Sequence, residues 1–504
     1  MADEREAKLL APADFVVPDL DDVGTGLSVS PVRRQRMRAV YFDTADLALA
    51  RAGLTLRHRT GEPGDPWTVK LGGSASGSEL VRREVTFADG PMRVPAGAAD
   101  LVRAHVRGRS LVPVARLRTV RTLRELRNAA GDVVVAIADD RVTAYAGAAR
   151  IARFRELEAE LKTDADDESG VLDAVVAELV ADGATADPPM SKLVRALGSA
   201  AQAPPDVVVG DVGERSDARD FVRHVIAGSV ARMLAQDPAL RLGAAESDIH
   251  AFRVATRRLR SDLRTFRPLL EPEWVRSRRD ELGWIADVVG AVRDTDVLRA
   301  RLREHVSGLG PDAAGAHPLL AVLASQRESA HGAMLVALRS PRYDALIDAL
   351  IAASAEPMFA GAADVAVPAR TVVASLVRRS WKQLRREVRR AGKHPSDEQL
   401  HDIRIVAKRA RYAAEAASKV FGKRAGRFAA AIADAQTVLG DHHDAHVAEQ
   451  WLRDATGRVE EGAGGAGLAA GLMVVRERRE RTRLAREWRA VWKKASAAKL
   501  RRWF

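Results

Sequence analysis

The chain has 504 residues, 47% of them hydrophobic and 29% charged, with a formal net charge of +12 at pH 7. This length and composition predict two or three folded domains and exclude a wholly disordered chain. The absence of cysteine excludes disulfides, thiolate metal sites and a cysteine nucleophile. Because no apolar run is long enough to span a membrane and the start of the sequence is acidic and polar, we expect a cytoplasmic protein.

The positive charge is unevenly divided along the chain. Residues 1–200 carry 28 Lys and Arg against 30 Asp and Glu, so the whole excess lies in the C-terminal part. Such a field attracts polyanions, among them nucleic acid, anionic membranes and polyphosphate. A basic, arginine-rich protein without a polyanionic partner is the simpler interpretation.

The first part of the sequence has the pattern of strands. Residues 1–197 are interrupted by Gly and Pro and contain short β-branched runs at 68–71 and 133–137. Helices are predicted at 171–179 and 191–197. An Ala- and Pro-rich stretch follows at 198–205. We therefore expect a domain at 1–200, a linker at 201–212 and a second domain at 213–504.

Ionic residues in this first part recur at a spacing of two, which places side chains on one face of a strand. The groups are Glu4, Glu6 and Lys8; Arg57 and Arg59; and Glu156, Glu158 and Glu160. Neighbouring strand-like runs carry Lys70, Arg83, Glu84, Arg118, Arg121 and the adjacent pair Asp139 and Asp140. A closed barrel with these faces inward would have a lumen lined with both signs of charge. For any one of these residues alone, a solvated strand face is the simpler interpretation.

A lumen of this kind needs added cations. Two carboxylates about 5 Å apart repel by roughly 3 kcal/mol at an effective dielectric constant of about 20. Mg²⁺ and Mn²⁺ prefer oxygen ligands and can be shared between carboxylates and phosphate, while Arg and Lys neutralise the rest of a phosphate chain. We therefore expect Mg²⁺ or Mn²⁺ as the cofactor.

The ordered motifs resemble the CYTH family. Glu4-Arg5-Glu6-Ala7-Lys8 fits its ExExK signature, and Tyr41-Phe42-Asp43-Thr44-Ala45-Asp46-Leu47 followed by Leu56-Arg57-His58-Arg59 resembles its next block. Arg83-Glu84, Arg118-Thr119-Val120-Arg121, Glu156-Leu157-Glu158-Ala159-Glu160-Leu161 and Ser191-Lys192-Leu193 follow in the expected order. ExExK alone is a weak signal, whereas the ordered series is specific.

This resemblance implies an eight-stranded antiparallel tunnel with flanking helices that hydrolyses triphosphate-containing substrates. It implies the catalytic residues Glu4, Glu6, Lys8, Glu158 and Glu160. The implied metal ligands are Glu4, Glu6, Glu84, Asp139, Glu158 and Glu160, with Asp140 as the alternative to Asp139. The implied phosphate ligands are Lys8, Arg57, Arg59, Lys70, Arg83, Arg118, Arg121 and Lys192, with Arg82 as the alternative to Arg83.

From about residue 206 onward the sequence predicts only helices, because apolar residues recur three and four positions apart. The run 248–258 returns as 399–409, and 289–297 is echoed by 439–447. Two four-helix bundles produced by duplication would account for both echoes. His250, Arg253 and Arg257 would share one helix side, as would His401, Arg404, Lys408 and Arg411. A solvated basic face is the simpler alternative for either helix alone.

These repeats resemble the CHAD family over roughly residues 213–504, which implies a groove that binds polyphosphate. Guanidinium and ammonium groups match unesterified phosphate oxygens. The implied contacts are His250, Arg253, Arg257, Arg258, Arg293, His401, Arg404, Lys408, Arg409 and Arg411. Asp294 and Asp444 would orient these cations. We expect no metal at His442-His443-Asp444-Ala445-His446, because the first copy lacks the matching residues.

The leading hypothesis is a metal-dependent hydrolase of inorganic triphosphate or polyphosphate, with a polyphosphate-binding module, in the cytoplasm or at polyphosphate granules. The alternatives are a non-catalytic protein that attaches to polyphosphate granules, and a hydrolase or cyclase of an organic triphosphate such as a nucleotide or thiamine triphosphate. Only 5% of the residues are aromatic, which argues weakly against an organic ring and against specific nucleic-acid binding. The oligomeric state is left open.

Overall fold

The computed structural model describes residues 3–20, 23, 26–72, 74–76, 79–88, 92–162, 169–186, 190–243, 245–361, 365–457 and 465–504. The side chains of residues 3, 4, 74–76, 79–82 and 169 lie outside this description. The chain forms two compact units, Met1–Asp206 and Val207–Phe504. Their boundary falls within the stretch 201–212, for which the sequence predicts a linker.

The first unit is built on one antiparallel sheet, as the sequence predicts. Its strands are β1 (Asp3–Leu10), β2 (Ser28–Val29), β3 (Arg33–Asp43), β4 (Thr55–Thr60), β5 (Trp67–Lys70), β6 (Ser74–Ser76), β7 (Glu79–Phe87), β8 (Val112–Arg127), β9 (Val133–Ala146), β10 (Ala149–Leu161) and β11 (Thr185–Ala186). Paired strands follow the order β1-β10-β9-β8-β3-β4-β5-β7. The last strand of this order, β7, also pairs with the first strand, β1. Eight strands are therefore paired around a closed path, with β2, β6 and β11 added at its margins.

One apolar core of these long strands lies outside this path. Leu157 and Leu161 of β10 pack against Leu172 and Val175 of α4 (Ser169–Ala181) in one buried cluster. Because side chains alternate along a strand, Glu158 and Glu160 face the opposite side. A second apolar cluster includes Ala39, Tyr41 and Leu117, which line the inner face, and residues of the segment 192–197. The inner face therefore carries both ionic and apolar side chains.

Short helices connect the strands: α1 (Ala48–Arg51), α2 (Ala96–Leu101), α3 (Arg103–Val106), α4 and α5 (Lys192–Leu197). α4 and α5 confirm the helices predicted at 171–179 and 191–197. Ser191 caps α5, since its hydroxyl accepts a hydrogen bond of 3.2 Å from the backbone N–H of Val194. This cap fixes the start of the helix at Lys192.

A buried carboxylate holds the turn at α1. Asp43 accepts hydrogen bonds from the backbone N–H groups of Thr44 (2.7 Å), Leu49 (2.9 Å) and Ala50 (2.9 Å). Leu47 adopts a left-handed backbone conformation, with φ 60°, just before the helix. The Asp43-Thr44 part of the sequence motif therefore has a structural role, because it sets the course of the chain into β4.

The second unit is helical in its described residues, as the sequence predicts. Its helices are α6 (Ala218–Arg241), α7 (Glu246–Thr265), α8 (Pro272–Val306), α9 (His317–Leu338), α10 (Pro341–Ala355), α11 (Ala369–Ala391), α12 (Asp397–Phe421), α13 (Lys423–Ala455) and α14 (Ala466–Ala495). Short 3₁₀ segments lie at Arg267–Leu269, Gly310–Ala316 and Ala498–Arg501. Among the helices in the described part of the chain, none is both long and apolar enough to cross a membrane.

The helix boundaries repeat along the chain. Helices α6, α7 and α8 begin at Ala218, Glu246 and Pro272, and α11, α12 and α13 begin at one constant offset from them, at Ala369, Asp397 and Lys423. Helix α6 contacts α11, and α7 contacts α12. Equivalent helices of the two sequence repeats therefore lie next to each other.

A buried carboxyl on α7 predicts a pH-dependent stability. Burial raises the pKa of Asp262 to about 8, although Arg258 and Arg232 oppose the shift. Because the folded pKa lies above the unfolded value of about 4, Asp262 supports folding below about pH 4, and this support is lost as the pH rises toward 8. Asp262→Asn should therefore raise the free energy of unfolding at pH 8 and change it little at about pH 4.

Urea unfolding of the parent and variant chains at both pH values measures this difference. Asp287→Asn, at an exposed position on α8, is the control and should show the same small effect at both values. Equal effects of Asp262→Asn at the two pH values would contradict the prediction.

Candidate functional site

A cavity of about 260 Å³ is lined by residues from all eight strands of the closed path. Its cationic lining residues are Lys8, Arg57, Arg59, Lys70, Arg121, Lys162 and Lys192. Its acidic lining residues are Glu6, Glu62, Glu84, Asp140, Glu158 and Glu160. The two signs of charge therefore converge in one enclosed space.

Strand alternation explains which ionic residues reach the cavity. Residues two apart, such as Glu158 and Glu160, both line it, whereas Ala159 between them packs in the outer cluster with Leu157. The spacing of two in the sequence thus selects residues that share one face.

Arg118 does not lie in the cavity, and its prediction as a phosphate ligand is wrong for this site. Its side chain is exposed, and the guanidinium lies 5.1 Å from the centre of the Tyr145 ring. Three positions separate Arg118 from Arg121, so the two residues lie on opposite faces of β8. Arg121 lines the cavity.

Asp139 also lies outside, which corrects its prediction as a metal ligand. Both of its carboxylate oxygens accept hydrogen bonds of 2.8 Å from Arg155. The Arg155 guanidinium lies over the ring of Phe15, a member of the outer hydrophobic cluster. The alternative residue, Asp140, lines the cavity.

Two further predicted residues are not placed in the cavity. Arg83 precedes Glu84, which lines the cavity, so Arg83 lies on the opposite face of β7; its prediction as a phosphate ligand here is wrong. Glu4 lies on β1, but its side chain is outside the described part of the chain. Its predicted role stays a prediction.

On one side of the cavity, Glu158 is surrounded by cations. It forms ion pairs with Lys8, with Lys192 at 2.8 Å and with Arg121 at 2.9 Å. The Lys192 ammonium also lies 2.7 Å from Glu156 and 3.0 Å from Asp140. This network joins β1, β8, β9, β10 and α5.

The network sets the ionisation of its members. Burial raises the pKa of Glu158, but the nearby Lys192, Lys8 and Arg121 outweigh it and hold that pKa well below its usual value. Burial lowers the pKa of Lys192, yet the surrounding carboxylates raise it well above its usual value. Both groups are therefore charged near pH 7.

Three carboxylates of this network could hold a metal ion. Single oxygens of Asp140, Glu156 and Glu158 all lie within 4.8 Å of one another. Oxygen donors suit Mg²⁺ and Mn²⁺. However, the Lys192 ammonium already lies 2.7 to 3.0 Å from all three, so this cluster is largely neutralised by the chain itself.

A second carboxylate pair could also share an added cation. Glu6 of β1 and Glu160 of β10 are direct partners in the strand register, and both line the cavity. Like charges directly opposite each other on two strands are destabilising. The Lys8 ammonium lies 3.5 Å from Glu6, and the Lys162 ammonium lies 2.5 Å from Glu160. A divalent cation between Glu6 and Glu160 would remove the remaining repulsion.

The other side of the cavity has more cations than carboxylates, because Arg57, Arg59 and Lys70 face Glu62 and Glu84. Arg59 forms an ion pair with Glu62. Arg57 is buried, its Nε has no hydrogen-bond partner in the described structure, and its nearest ion-pair partner, Glu84, is 4.0 Å away. Lys70 also contacts Glu84. Burial and the charge of Arg57 lower the pKa of Arg59 to about 10, although Glu62 opposes the shift. This side is therefore suited to an anion.

Some site residues were not predicted from the sequence. Glu156 was recognised in the spaced series but was not assigned a role, and Lys162 continues the same spacing. The spacing of two along the strand therefore indicated that both residues share the inward face. Glu62 follows β4 in a turn, and no periodic pattern indicates that it reaches the cavity.

In the helical unit, cations from the two repeats lie together. Arg257 of α7 and Arg404 of α12 are both largely buried, and their charges act on each other. Burial, followed by the charges of Arg404, Arg257 and Arg253, lowers the pKa of Lys408 to about 7, despite the opposing charge of Asp444. We call Arg253, Arg257, Arg404 and Lys408 the helical cation cluster. Arg253 forms an ion pair with Asp294, but the four cations still repel one another, which favours a bound anion.

The two predicted histidines border this cluster. His401 Nδ1 lies 3.2 Å from His443 Nδ1. Burial and nearby cations, Arg404 first, lower the pKa of His443 to about 4. Burial and the charge of Arg293 lower the pKa of His250. These imidazoles are therefore neutral near pH 7 and can offer hydrogen bonds but little charge.

Other predicted contacts in this unit have different neighbours. Arg258 forms an ion pair with Glu415, and Arg411 forms another with the same carboxylate at 2.6 Å. Arg409 lines a different cavity. Successive helix residues point about 100° apart, so Arg258 and Arg409 turn away from the faces of Arg257 and Lys408. The prediction that Arg258 and Arg409 share one groove with Arg257 and Lys408 is therefore corrected.

Two known domain families match this chain. One match covers most of the unit with the closed strand path, and the other lies in the helical unit. The CYTH domain family matches residues 2–179, and the CHAD domain family matches residues 224–453. The chain is 33% identical over 469 residues to the uncharacterized proteins Rv2226 and MT2285 from two strains of Mycobacterium tuberculosis, covering 89% of this chain and 88% of each relative. The chain therefore belongs to the family of proteins that join a CYTH domain to a CHAD domain, which confirms the predicted resemblance.

Two solved structures give more distant likenesses. The CHAD domain from the plant Ricinus communis is 24% identical and covers 58% of this chain and 96% of its own, with a TM-score of 0.47. HpAC1 from Hippeastrum, described as having a dominant triphosphatase activity, is 16% identical and covers 38% of this chain and 93% of its own, with a TM-score of 0.24.

Proposed function

We propose that the CYTH unit hydrolyses inorganic triphosphate or the end of a longer polyphosphate, and that the CHAD unit binds polyphosphate. The observation that carries this proposal is the division of the cavity. On one side Arg57, Arg59 and Lys70 face two carboxylates, Glu62 and Glu84, so one positive charge is in excess. On the other, Glu6 and Glu160 lie directly opposite each other on neighbouring strands. A phosphate chain with a divalent cation compensates both sides at once.

The cationic side would hold the phosphate oxygens. Arg57, Arg59 and Lys70 would neutralise the chain, and the unpartnered Nε of Arg57 would donate a hydrogen bond to it. Guanidinium groups match phosphate geometry through paired N–H donors. Lys8, Arg121 and Lys192 would hold the phosphate nearest the carboxylates while keeping Glu158 ionised.

Glu6, Glu158 and Glu160, with Glu4 of the ExExK motif, would hold Mg²⁺ or Mn²⁺. When bound, the ion would neutralise phosphate oxygens and lower the pKa of a water molecule. The carboxylate of Glu6 would accept a proton from the attacking water. The water oxygen bonds to the terminal phosphorus as the bridging P–O bond breaks, which gives orthophosphate and a chain shorter by one phosphate.

The lining favours an inorganic substrate over an organic triphosphate. Tyr41 is the one aromatic residue among the described residues that line the cavity, so little surface is available for a nucleobase or thiamine ring. Phosphate release from triphosphate, long polyphosphate, ATP and thiamine triphosphate, each with Mg²⁺ or Mn²⁺, tests the proposal. Binding without release would favour a non-catalytic protein of polyphosphate granules, and release from ATP or thiamine triphosphate alone would favour an organic substrate.

We also infer that the helical unit arose by duplication into two four-helix bundles. The constant offset between the starts of α6, α7 and α8 and those of α11, α12 and α13 supports this inference, as does the contact between α7 and α12. The polyphosphate groove would then follow the helical cation cluster, bordered by His250, Arg293 and His401. We propose that this unit retains the protein at polyphosphate in the cytoplasm.

The lowered pKa of Lys408 predicts proton uptake on polyphosphate binding. Free Lys408 has a pKa of about 7, and phosphate oxygens would raise it by favouring the ammonium form. We expect binding near pH 8 to take up about one proton per site, measured as the dependence of the calorimetric enthalpy on the ionisation heat of the buffer.

Lys408→Arg is the matched variant, because a guanidinium stays protonated throughout this range. It should bind polyphosphate without the uptake. Unchanged uptake in this variant would show that another group titrates.

A further inference from the structure

A separate cavity of about 210 Å³ in the helical unit is lined by four arginines. Arg264 lies near the end of α7, Arg267 in the 3₁₀ segment that follows, Arg379 on α11 and Arg409 on α12. Its other lining residues are uncharged: Thr265, Pro268, Leu376, Ser380 and Gln383. We call it the arginine pocket.

A cavity of about 140 Å³ occupies the corresponding place in the other repeat. Arg258 and Glu415 line it, and the sequence repeat relates them to Arg409 and Arg264 of the arginine pocket. In this second cavity Arg258 forms an ion pair with Glu415. In the arginine pocket the carboxylate is thus replaced by a second guanidinium.

Two other repeat positions differ in the same direction. Gly228 of the paired cavity corresponds to Arg379 of the arginine pocket, and Asp262 corresponds to Ala413. These two changes add a positive charge or remove a negative one, whereas Arg232 and Lys419 of the paired cavity correspond to the uncharged Gln383 and Pro268 of the arginine pocket. The two related cavities therefore differ in that one contains carboxylates and the other has arginines as its charged lining residues.

The guanidiniums of the arginine pocket lack counter-charge. Among the described residues, none of the four has a carboxylate in ion-pair contact, and the Nε of nearby Arg279 on α8 is buried without a hydrogen-bond partner. Burial, then the charges of Arg264 and Arg279, lowers the pKa of Arg409 to about 10. Burial, then the charges of Arg264, Arg260 and Arg267, also lowers the pKa of Arg279, although Asp280 opposes this shift.

We propose that the arginine pocket binds a small multivalent phosphate oxyanion of the pyrophosphate class, at a site separate from the CYTH cavity and the helical cation cluster. Guanidinium forks match phosphate oxygens, and four cations require more than one negative charge. The concave pocket admits only a compact anion to the half-buried Arg409, and it offers no aromatic side chain for stacking a base. A bound anion would link α7, α11 and α12.

Amide hydrogen exchange of the full chain, with pyrophosphate as the probe and EDTA to prevent turnover, tests this proposal at the pocket itself. We expect pyrophosphate to slow exchange at residues 264–269 and 376–383. Two variants test the site: Arg264→Glu, which copies the acidic residue of the paired cavity, and Arg379→Glu on a different helix. Each should raise the pyrophosphate concentration needed for this protection at least about tenfold.

Arg303→Glu makes the same charge change at an exposed site roughly 36 Å from Arg279 along α8, and it should leave the protection intact. Both pocket arginines are exposed, so their replacement should preserve folding, which circular dichroism checks. Absence of protection in the parent chain, or equal protection in both pocket variants, would overturn the proposal. Hydrolysis in the CYTH cavity is measured separately and does not affect either outcome.

Discussion

Glu6→Gln is expected to reduce metal-dependent triphosphate hydrolysis by about 100- to 1000-fold. The amide keeps the size of the side chain but removes the negative charge that would hold the cation and accept the proton from water. Folding should be little affected, because the ion-pair partner of Glu6 in the described structure is Lys8, at 3.5 Å. Initial rates of phosphate release at saturating Mg²⁺ or Mn²⁺ measure the effect.

The control for this experiment is Glu178→Gln, at an exposed position on α4. It makes the same chemical change outside the cavity and should retain the parent rate. Full activity of Glu6→Gln would remove Glu6 from the catalytic site, whereas loss of activity in both variants would point to a general effect on the fold.

Asp140→Asn is expected to lower the free energy of unfolding by about 3 to 5 kcal/mol, the usual cost of breaking a buried ion pair by removing one partner. Asp140 is fully buried and accepts hydrogen bonds of 2.8 and 2.7 Å from Arg121. Burial raises its pKa, but Lys192 and Arg121 outweigh burial and lower the pKa below its usual value. The variant therefore leaves two buried cations short of counter-charge.

Urea unfolding near pH 7 measures this loss, with Asp132→Asn at an exposed position as the control. A double variant with Arg121→Gln should lose less than the sum of the two single effects, because the partners depend on each other. A stability loss below about 1 kcal/mol in Asp140→Asn would contradict the proposed network.

The sequence predicted the domain classes and much of the cavity because its spacings have a direct geometric meaning. A spacing of two placed Glu158 and Glu160 on one strand face, and Arg57 and Arg59 on another. The same rule argues against Arg118, which is three positions from Arg121. Asp139 and Asp140 are adjacent acids, and the sequence around them does not indicate which carboxylate faces the cavity. The strand register was needed to decide between them.

The helical residues show a second limit of sequence reasoning. Spacings of three and four correctly grouped Arg253 with Arg257, and Arg404 with Lys408. The ion pair between Arg258 and Glu415 joins residues far apart in the chain, and no local pattern indicates it. Long-range ion pairs therefore decided which basic residues remain available to an anion.

The placement of the apolar core between β10 and α4 outside the closed strand path has an evolutionary consequence. Leu157, Leu161 and their partners on α4 hold the sheet from its outer side, so ionic side chains of the interior can be exchanged without opening the packing between strand and helix. Substitutions at inward positions can therefore change the chemistry of the cavity during evolution, while the outward residues of β10 keep their packing against α4.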